Sequence, residues 1–247
     1  MLAVHRAGTT RLRHTERTLG RHPPDRMRDP PVSPTAYPVN LDLAGRRALV
    51  VGAGPVAARK VAGLLDAGAD VTVVAPTAVD EIADDSGIRW HERPYRRGEV
   101  ASYRLAITAT GDTDVDSQVH RDAEAAGVWL NSADDPERCT FTLPAVSRHG
   151  DLQVTVSTGG SSPAVSRWLR RSLFDDIGPE HATVVALASE VRTELREATG
   201  TSESPAWDNV LDDAIIETVR RGDVETARQA LRRGLGLTGT SNLEPTQ

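Results

Sequence analysis

The stretch that decides the fold of this chain is Ala48-Leu49-Val50-Val51-Gly52-Ala53-Gly54-Pro55-Val56-Ala57. An apolar run ends at Val51, and it is too short and too rich in β-branched residues for a helix. It therefore predicts a buried strand over 47–51. Two glycines follow, and Pro55 suits the first turn of a helix because its missing N–H would be unpaired there anyway. The stretch predicts a strand, a glycine turn and the start of a helix.

This turn has the G-x-G-x-x-A pattern of dinucleotide-binding sites. Gly52 permits the tight turn, Gly54 lets the backbone approach a pyrophosphate, and Ala57 takes the third glycine position. The N–H groups at the helix start then attract the phosphate charge. A purely structural turn is the alternative, but the pattern lies between a predicted strand and a predicted helix, as binding requires.

One expected residue is missing from the fingerprint. An acid should end the second strand and bind the adenosine ribose. Here that strand ends Val74-Ala75-Pro76-Thr77, and Asp70 lies at its other end. Backbone groups around Pro76 and Thr77 are left to hold the ribose, and the pattern leaves the choice between NAD and NADP open.

Further strands and helices alternate outward from the glycine turn. Such alternation predicts βαβ units and a parallel sheet, which is the α/β class. The predicted strands are 47–51, 71–75, 88–93, 105–110 and 128–131, and the predicted helices are 55–67 and 115–126.

The pattern changes after residue 139. Segments 140–146 and 152–158 flank Arg148-His149-Gly150-Asp151 and predict a hairpin. Helices are predicted at 163–174, 180–198, 206–220 and 223–233. The predicted organisation is a disordered tail over 1–36, a Rossmann domain over 37–139, a dimerisation and substrate segment over 140–178, a helical domain over 179–235 and a tail over 236–247.

Composition limits the classes of function. The chain has 247 residues and a net charge of −6, so a nucleic-acid surface is not expected. No apolar stretch approaches the roughly 18 residues of a membrane span. The one cysteine, Cys139, excludes an intrachain disulfide framework and fits a reducing cytoplasm.

Two polar segments are candidate sites. Asn131-Ser132-Ala133-Asp134-Asp135 follows a predicted parallel strand, at the edge where ligands bind. A carboxylate there can accept a proton, although either aspartate could instead cap the turn before Pro136. In the second segment, Ser157 to Pro163, small residues leave N–H groups open to an anion, and the alternative is a flexible connector.

Other candidates are weaker. Cys139 is interpreted as a packed side chain rather than a nucleophile, and His149 as a solvated turn residue. Arg167, Arg170 and Arg171 share one helix face, which is usually exposed to solvent but can also bind acidic substrates. No spacing of His, Cys or acidic residues predicts a fixed metal site.

Together these segments resemble the precorrin-2 dehydrogenase family, which is the N-terminal module of siroheme synthases. The resemblance covers residues 37 to about 200. It depends on the order and spacing of several short motifs. They are Tyr37-Pro38-Val39, the glycine turn with Val56-Ala57-Ala58-Arg59-Lys60, Ala109-Thr110-Gly111-Asp112, Asn131 to Asp134, Cys139-Thr140-Phe141, Pro144-Ala145 and Ser157 to Pro163.

The resemblance implies NAD-dependent oxidation of precorrin-2 to sirohydrochlorin, in some members followed by insertion of ferrous iron as a substrate. It implies a homodimer and places the catalytic aspartate at Asp134. The implied cofactor contacts are Gly52, Gly54, Pro55, Val56, Pro76, Thr77 and Thr110. The candidate tetrapyrrole contacts are Asn131, Ser157, Gly159, Gly160, Ser161 and an arginine, Arg138, Arg148 or Arg167, of which Arg167 is preferred.

Other readings remain open. One is a regulatory module that binds NAD without chemistry, and another is a dehydrogenase of a different polycarboxylate. No methyltransferase module follows the family core, so the chain is not expected to make precorrin-2 itself.

Overall fold

The computed structural model describes residues 36–237, and a five-stranded parallel sheet forms the first half of this part. Its strands are β1 (Arg47–Val51), β2 (Asp70–Ala75), β3 (Ile88–Glu92), β4 (Leu105–Thr108) and β5 (Trp129–Ser132). Their order across the sheet is β3-β2-β1-β4-β5. The winding reverses between β1 and β4, and ligands of such sheets bind outside the carboxyl ends at this point. The predicted α/β class with a parallel sheet is confirmed.

Helices cover both faces of the sheet. Helix α1 (Pro55–Asp66) packs on one face, α2 (Asp80–Ala83) is a single turn after β2, and α3 (Thr113–Ala126) packs on the other face. Val50 belongs to the core on the α1 side and Leu49 to the core on the α3 side. Because both faces are covered, the inner strands β1, β2 and β4 are nearly continuous buried runs, whereas the edge strand β3 alternates.

The strand predictions agree with these bounds to within two residues. Three short elements have no counterpart among the predictions, namely α2 and the 3₁₀ turns at Glu99–Ser102 and Pro136–Arg138. Each is a single turn, which is too short to show the apolar period of a helix.

An antiparallel hairpin follows the sheet, with β6 (Ala145–His149), β7 (Leu152–Val156) and then α4 (Pro163–Phe174). The predicted first strand over 140–146 is wrong in its first part. The backbone N–H groups of Thr140 and Phe141 donate to Leu130 O instead, at 2.8 and 3.4 Å. The turn is also tighter than predicted, because Gly150 has φ 53° and permits a two-residue connection.

The remaining helices are α5 (Pro179–Thr199), α6 (Trp207–Val210), α7 (Asp213–Arg220) and α8 (Val224–Gly234). They enclose a separate apolar core that includes Leu187, Val191 and Leu231. The single helix predicted over 206–220 is wrong, because Asp212 interrupts it and caps α7, its Oδ1 accepting from Ile215 N at 3.0 Å.

The ends of the chain bear on two further predictions. Leu237 packs against the apolar core of the C-terminal helices, although it lies within the tail predicted over 236–247. The rest of that tail, and the disordered segment predicted over 1–36 up to residue 35, lie outside the described residues.

Candidate functional site

The first glycine of the turn brings the ends of two strands together. Gly52 has φ 103°, and a Cβ built on it would lie 2.2 Å from the carbonyl oxygen of Ala109, which follows β4. Its N–H donates to Val74 O at 3.0 Å. A side chain at this position would collide with backbone in a conformation that L residues rarely adopt. The predicted role of Gly52 in the tight turn is therefore visible in the structure.

The second glycine leaves open space at the start of α1. A Cβ on Gly54 would have no atom within 4 Å. Within residues 36–237 no side chain caps this helix N-terminus, and its first turn contains no acid. The first-turn N–H groups thus face a cradle that a side chain would fill, next to Val56, which is 38% exposed. Such a cradle with a positive helix end fits a pyrophosphate.

The loop after β2 lies beside the glycine turn. Val79 N donates to Ala53 O at 3.0 Å, which joins the loop to the turn. Pro76 and Thr77 are exposed, and they lie between the end of β2 and this hydrogen bond at Val79. The structure therefore brings the predicted ribose-binding segment next to the predicted pyrophosphate cradle.

Thr110 has a different environment from the one expected for a cofactor contact. Its hydroxyl donates to Asp116 Oδ1 at 2.8 Å and accepts from Asp112 N at 2.9 Å. Asp112 caps α3 through its own side chain, which accepts from Asp114 N and Val115 N. Thr110 therefore organises the start of α3, and its side chain is already engaged there.

Asn131 anchors the segment that follows β5. Its amide nitrogen donates to Phe141 O at 3.0 Å, and its side chain is buried. Cys139 Sγ accepts from Ser132 N at 3.2 Å, as expected for a packed thiol. Asn131 is a predicted substrate contact, but its amide nitrogen already donates a structural hydrogen bond.

The structure separates the two aspartates after β5. Asp135 caps the 3₁₀ turn Pro136–Arg138, with its Oδ1 accepting from Glu137 N at 3.0 Å, and it pairs with Arg138 at 3.0 Å. Asp134 is exposed, and among residues 36–237 its carboxyl has neither an ion pair nor a hydrogen bond. Capping thus accounts for Asp135 and leaves Asp134 available for chemistry at the carboxyl edge of the sheet.

A buried carboxyl, that of Asp116, was not among the predicted site residues. Asp116 is 5% exposed and lies on α3 near the carboxyl ends of β4 and β5. Burial, with the charge of nearby Asp134, raises the pKa of Asp116 above its usual value, although Thr110 and Arg138 oppose the shift. A sequence signal exists, since Asp116, Val119 and Ala123 recur at helical spacing on the buried face of α3.

The second candidate segment borders a cavity of about 220 Å³ between the hairpin and α4. Ser157, Gly160 and Arg167 line it together with apolar side chains that include Leu143 and Val156. Gly159 and Ser161 are not among its lining residues. The structure therefore brings three of the predicted substrate contacts together.

Hydrogen bonds of the Ser157–Pro163 loop fix its shape. Ser162 caps α4 by accepting from Val165 N at 3.3 Å, and the hydroxyls of Thr158 and Ser166 lie 3.0 Å apart. Gly159 and Gly160 both have positive φ, at 61° and 86°. The loop is thus a shaped turn with a helix start behind it rather than a loose connector.

Two features are absent from residues 36–237. No group of three or more His, Cys, Asp or Glu side chains is placed to hold a metal ion. No helix in this part of the chain has the length and apolar character needed to cross a bilayer.

A glycine turn at the carboxyl edge of a parallel sheet defines a Rossmann-like dinucleotide-binding protein. Residues 39–145 match the family model described as putative NAD(P)-binding. Residues 149–173 match a second model, described as sirohaem biosynthesis protein central. These matches confirm the resemblance to the siroheme-synthase family that the motifs indicate.

Curated relatives agree with the family models. The chain is 36% identical over 203 residues to a siroheme synthase of Nitrosococcus oceani, covering 80% of this chain and 43% of the relative. It is 34% identical over 207 residues to that of Methylobacillus flagellatus, covering 82% of this chain and 44% of the relative. The chain thus spans less than half the length of these relatives.

A solved structure shares the fold. SirC, a precorrin-2 dehydrogenase, matches with a TM-score of 0.64 and 24% identity, covering 81% of this chain and 98% of that chain. The likeness extends beyond the Rossmann domain, because the matched region covers 81% of this chain. At this identity it establishes the architecture alone.

Proposed function

We propose that this chain is an NAD-dependent precorrin-2 dehydrogenase that forms sirohydrochlorin. One observation carries the proposal, namely that the carboxyl of Asp134 is exposed and has no partner among residues 36–237. It lies at the sheet edge that also bears the open cradle at Gly54. The match to an NAD(P)-binding model and the siroheme synthase relatives support it. A binding module without chemistry would not need a free carboxylate at this edge.

The proposed mechanism divides the work between cofactor and protein. Bound NAD supplies the acceptor for a hydride, which is chemistry that no side chain offers. The N–H groups at the start of α1 hold the pyrophosphate. Asp134 accepts the proton that leaves the substrate with the hydride, since its carboxylate has no competing partner among the described residues.

We assign NAD rather than NADP to the cradle. The segment from Pro76 to Ala83 contains no Lys or Arg, and Asp80 and Glu81 occupy the first turn of α2. Arg93 lies near the end of β2, but its guanidinium is bound by Glu99 at 2.7 and 3.0 Å. Negative charge without a free cation disfavours the 2′-phosphate of NADP.

The cavity beside α4 is proposed to receive carboxylates of the tetrapyrrole. Arg167 is exposed at its rim and has no ion pair among residues 36–237. By contrast, Arg138 pairs with Asp135, and Arg148 donates to Gln153 at 2.8 Å. Arg167 is therefore the preferred anchor, because its forked donors remain available for a carboxylate.

A homodimer is proposed through the hairpin and α4. Val165, Trp168 and Leu173 of α4 are 42%, 58% and 53% exposed, and Ser166 is the only residue of that helix that is buried. The hairpin is a two-stranded sheet, which is marginal without further packing. A second copy of this chain would cover both, as is usual for symmetric dimers.

The free carboxyl also supports a second activity, insertion of ferrous iron into sirohydrochlorin. In that reaction the iron is a substrate, and Asp134 would accept protons released by the pyrrole nitrogens. This activity does not require a resident metal site, because the iron binds only transiently before it is inserted.

The experiment that tests the dehydrogenase compares wild type with Asp134→Ala in an anaerobic assay with precorrin-2 and NAD. We expect Asp134→Ala to retain NAD affinity in calorimetry and to lose about 10²–10⁴-fold in turnover, the range for removal of a general base. Glu137→Ala is the matched control, because Glu137 is an exposed acid of the same segment. It should keep near wild-type turnover.

Two results would overturn this function. Turnover of Asp134→Ala close to wild type would remove the assigned role. No oxidation by wild type, with no absorbance change on tetrapyrrole titration, would favour the NAD-binding module. A further incubation with sirohydrochlorin and ferrous or cobaltous ion tests the second activity.

A further inference from the structure

Three arginines lie together at the amino edge of the parallel sheet, opposite the edge that carries the glycine turn. Arg46 precedes β1, Arg47 is the first residue of β1, and Arg104 directly precedes β4, which pairs with β1 in parallel. The backbone N–H of Arg104 donates to Arg47 O at 2.9 Å, which holds the two segments side by side. A strand rise of about 3.3 Å per residue puts Arg47 roughly 16 Å from Gly52, so this group is separate from the cofactor cradle.

The three arginines line an open cavity of about 350 Å³. The rest of its lining is small or carries a hydroxyl, and consists of Gly45, Ala101, Ser102 and Tyr103. The cavity lies on the α3 side of the sheet, because Tyr103 packs against the apolar core on that side. Binding sites for small molecules are concave and have volumes of roughly 300–1,000 Å³, so a ligand of modest size fits here.

Negative partners for these arginines are missing from residues 36–237, where none of the three guanidinium groups makes an ion pair or a side-chain hydrogen bond. Asp70 is in register with Arg47, but its Oδ1 is bound by Arg89 at 2.6 Å. The Oδ1 of Asp42 accepts from Ala44 N at 3.1 Å. The whole chain has a net charge of −6, so this uncompensated positive charge is a local feature.

An aromatic ring holds one of the guanidinium groups in place. The Cζ of Arg47 lies 4.6 Å from the centroid of the Tyr103 ring. A stacked guanidinium keeps the N–H groups in its own plane available to an acceptor. Backbone donors add little, because the N–H groups of Gly45, Arg46 and Tyr103 already donate to other backbone carbonyls. The cavity therefore offers mainly side-chain donors, most of them charged.

We propose that this cavity binds a small multivalent oxyanion, which is a polycarboxylate or an oligophosphate. The forked guanidinium groups match carboxylate and phosphate oxygens in pairs, and such charge-assisted bonds are among the strong ones in proteins. Three cations without a partner favour a ligand that carries at least two negative charges, because a monovalent anion would leave most of the positive charge uncompensated. This site does not depend on the proposed dehydrogenase, since it uses neither Asp134 nor the cofactor cradle.

The test is calorimetric titration of the full chain with tricarballylate, pyrophosphate and acetate. Saturating NAD is present, so that pyrophosphate does not occupy the cradle at the start of α1. We expect tricarballylate or pyrophosphate to bind at least about 10-fold more tightly than acetate, because several guanidinium groups act on one ligand. The tighter of the two identifies whether the site takes carboxylate or phosphate chemistry.

Four variants locate the bound anion. Arg47→Gln and Arg104→Gln each remove one fork and should weaken binding of the multivalent anion by about 10-fold. Arg104→Lys keeps the charge without the fork and should lose less than Arg104→Gln. Arg196→Gln is the matched control, because Arg196 is exposed on α5 and has no ion pair among residues 36–237. It should bind the anion as wild type does.

Three results would overturn the inference. The first is equal affinity for acetate and the multivalent anions, and the second is an equal loss in Arg104→Gln and Arg196→Gln, because binding would then be unspecific attraction. The third is a loss in Arg167→Gln but not in Arg104→Gln, which would place the anion in the cavity beside α4. Failure of wild type to oxidise precorrin-2 would refute the proposed function and leave these titrations unaffected.

A second measurement uses wild type alone and so does not depend on how the variants fold. Backbone amide resonances of residues 45–47 and 101–104 should shift when the tighter anion is added, because these residues line the cavity. Shifts confined to other parts of the chain would overturn the assignment.

Discussion

The sheet half of the molecule and its hairpin segment solve the burial of apolar surface in different ways. The parallel sheet has helices on both faces and two apolar cores, and its central strand residues are almost completely inaccessible. The hairpin with α4 contributes no residue to these cores and leaves Trp168 58% exposed. The contrast shows that the half with the cofactor cradle is complete within one chain. The half with the candidate substrate cavity leaves apolar side chains of α4 exposed within a single chain.

The largest loss of stability in the sheet half is expected from a substitution at Gly52. We expect Gly52→Val to destabilise the chain by about 3 kcal/mol or more, since its Cβ would lie 2.2 Å from Ala109 O at a positive φ. Urea denaturation measures this effect. Gly54→Ala is the control and should keep wild-type stability, because a Cβ there meets nothing within 4 Å. Equal stability of all three proteins would refute the close approach of β1 and β4.

The partner surface is tested by Trp168→Glu. A charge on the exposed apolar face of α4 should convert the proposed dimer to monomer at micromolar concentration, because an unpaired buried charge opposes association. Sedimentation velocity measures the change. Trp129→Glu applies the same substitution at another exposed tryptophan, 49% accessible on β5, and should leave the assembly intact. NAD affinity should be unaffected by Trp168→Glu, and a monomeric wild type would exclude the dimer.

The cradle itself is tested by Gly54→Asp. The new carboxylate would stand where the pyrophosphate is proposed to lie, so we expect NAD affinity to fall about 10- to 100-fold in calorimetry. Gly63→Asp adds the same charge on an exposed position of α1 and should bind NAD as wild type does. Unchanged affinity of Gly54→Asp would place the cofactor elsewhere.

The smallest effect is expected in the C-terminal helices. Asp212→Ala removes the cap of α7 and should cost about 1 kcal/mol of unfolding free energy. NAD affinity should not change, because these helices have their own core. Asp213→Ala, one residue further on and exposed, is the control that lacks the capping bond. A loss of NAD affinity in Asp212→Ala would show that the two cores are coupled.

Much of the sheet half was predictable because its signals are local. Apolar runs marked the strands of the sheet, and Gly127, with φ 65°, ends α3 where the sequence predicted. The hairpin was predicted less well, because Thr140 and Phe141 bond to Leu130, ten residues or more away in sequence. The split between α6 and α7 depends on one capping side chain, Asp212, inside an otherwise helical pattern.

The candidate site divides in the same way. The glycine turn and the segment after β5 were recognisable from residue type and order. Residue type and order left both Asp134 and Asp135 as possible caps, and only the family resemblance favoured Asp134. The structure shows that Glu137 N and Arg138 occupy the carboxyl of Asp135. The sequence does not indicate a buried carboxyl at Asp116, because an acid on a helix is usually exposed. Only packing of α3 against β4 and β5 buries it.

The sequence by itself determined that a parallel sheet with a glycine turn forms here, since strand burial, turn chemistry and helix start depend on neighbouring residues. Tertiary structure alone decided which of the carboxyls after β5 is free and that the carboxyl of Asp116 is buried. Those properties depend on distances between segments that the chain brings together only when it folds. The physical reason is that backbone conformation depends mainly on residues that are neighbours in sequence. Burial and charge interactions depend instead on residues that other segments bring into contact.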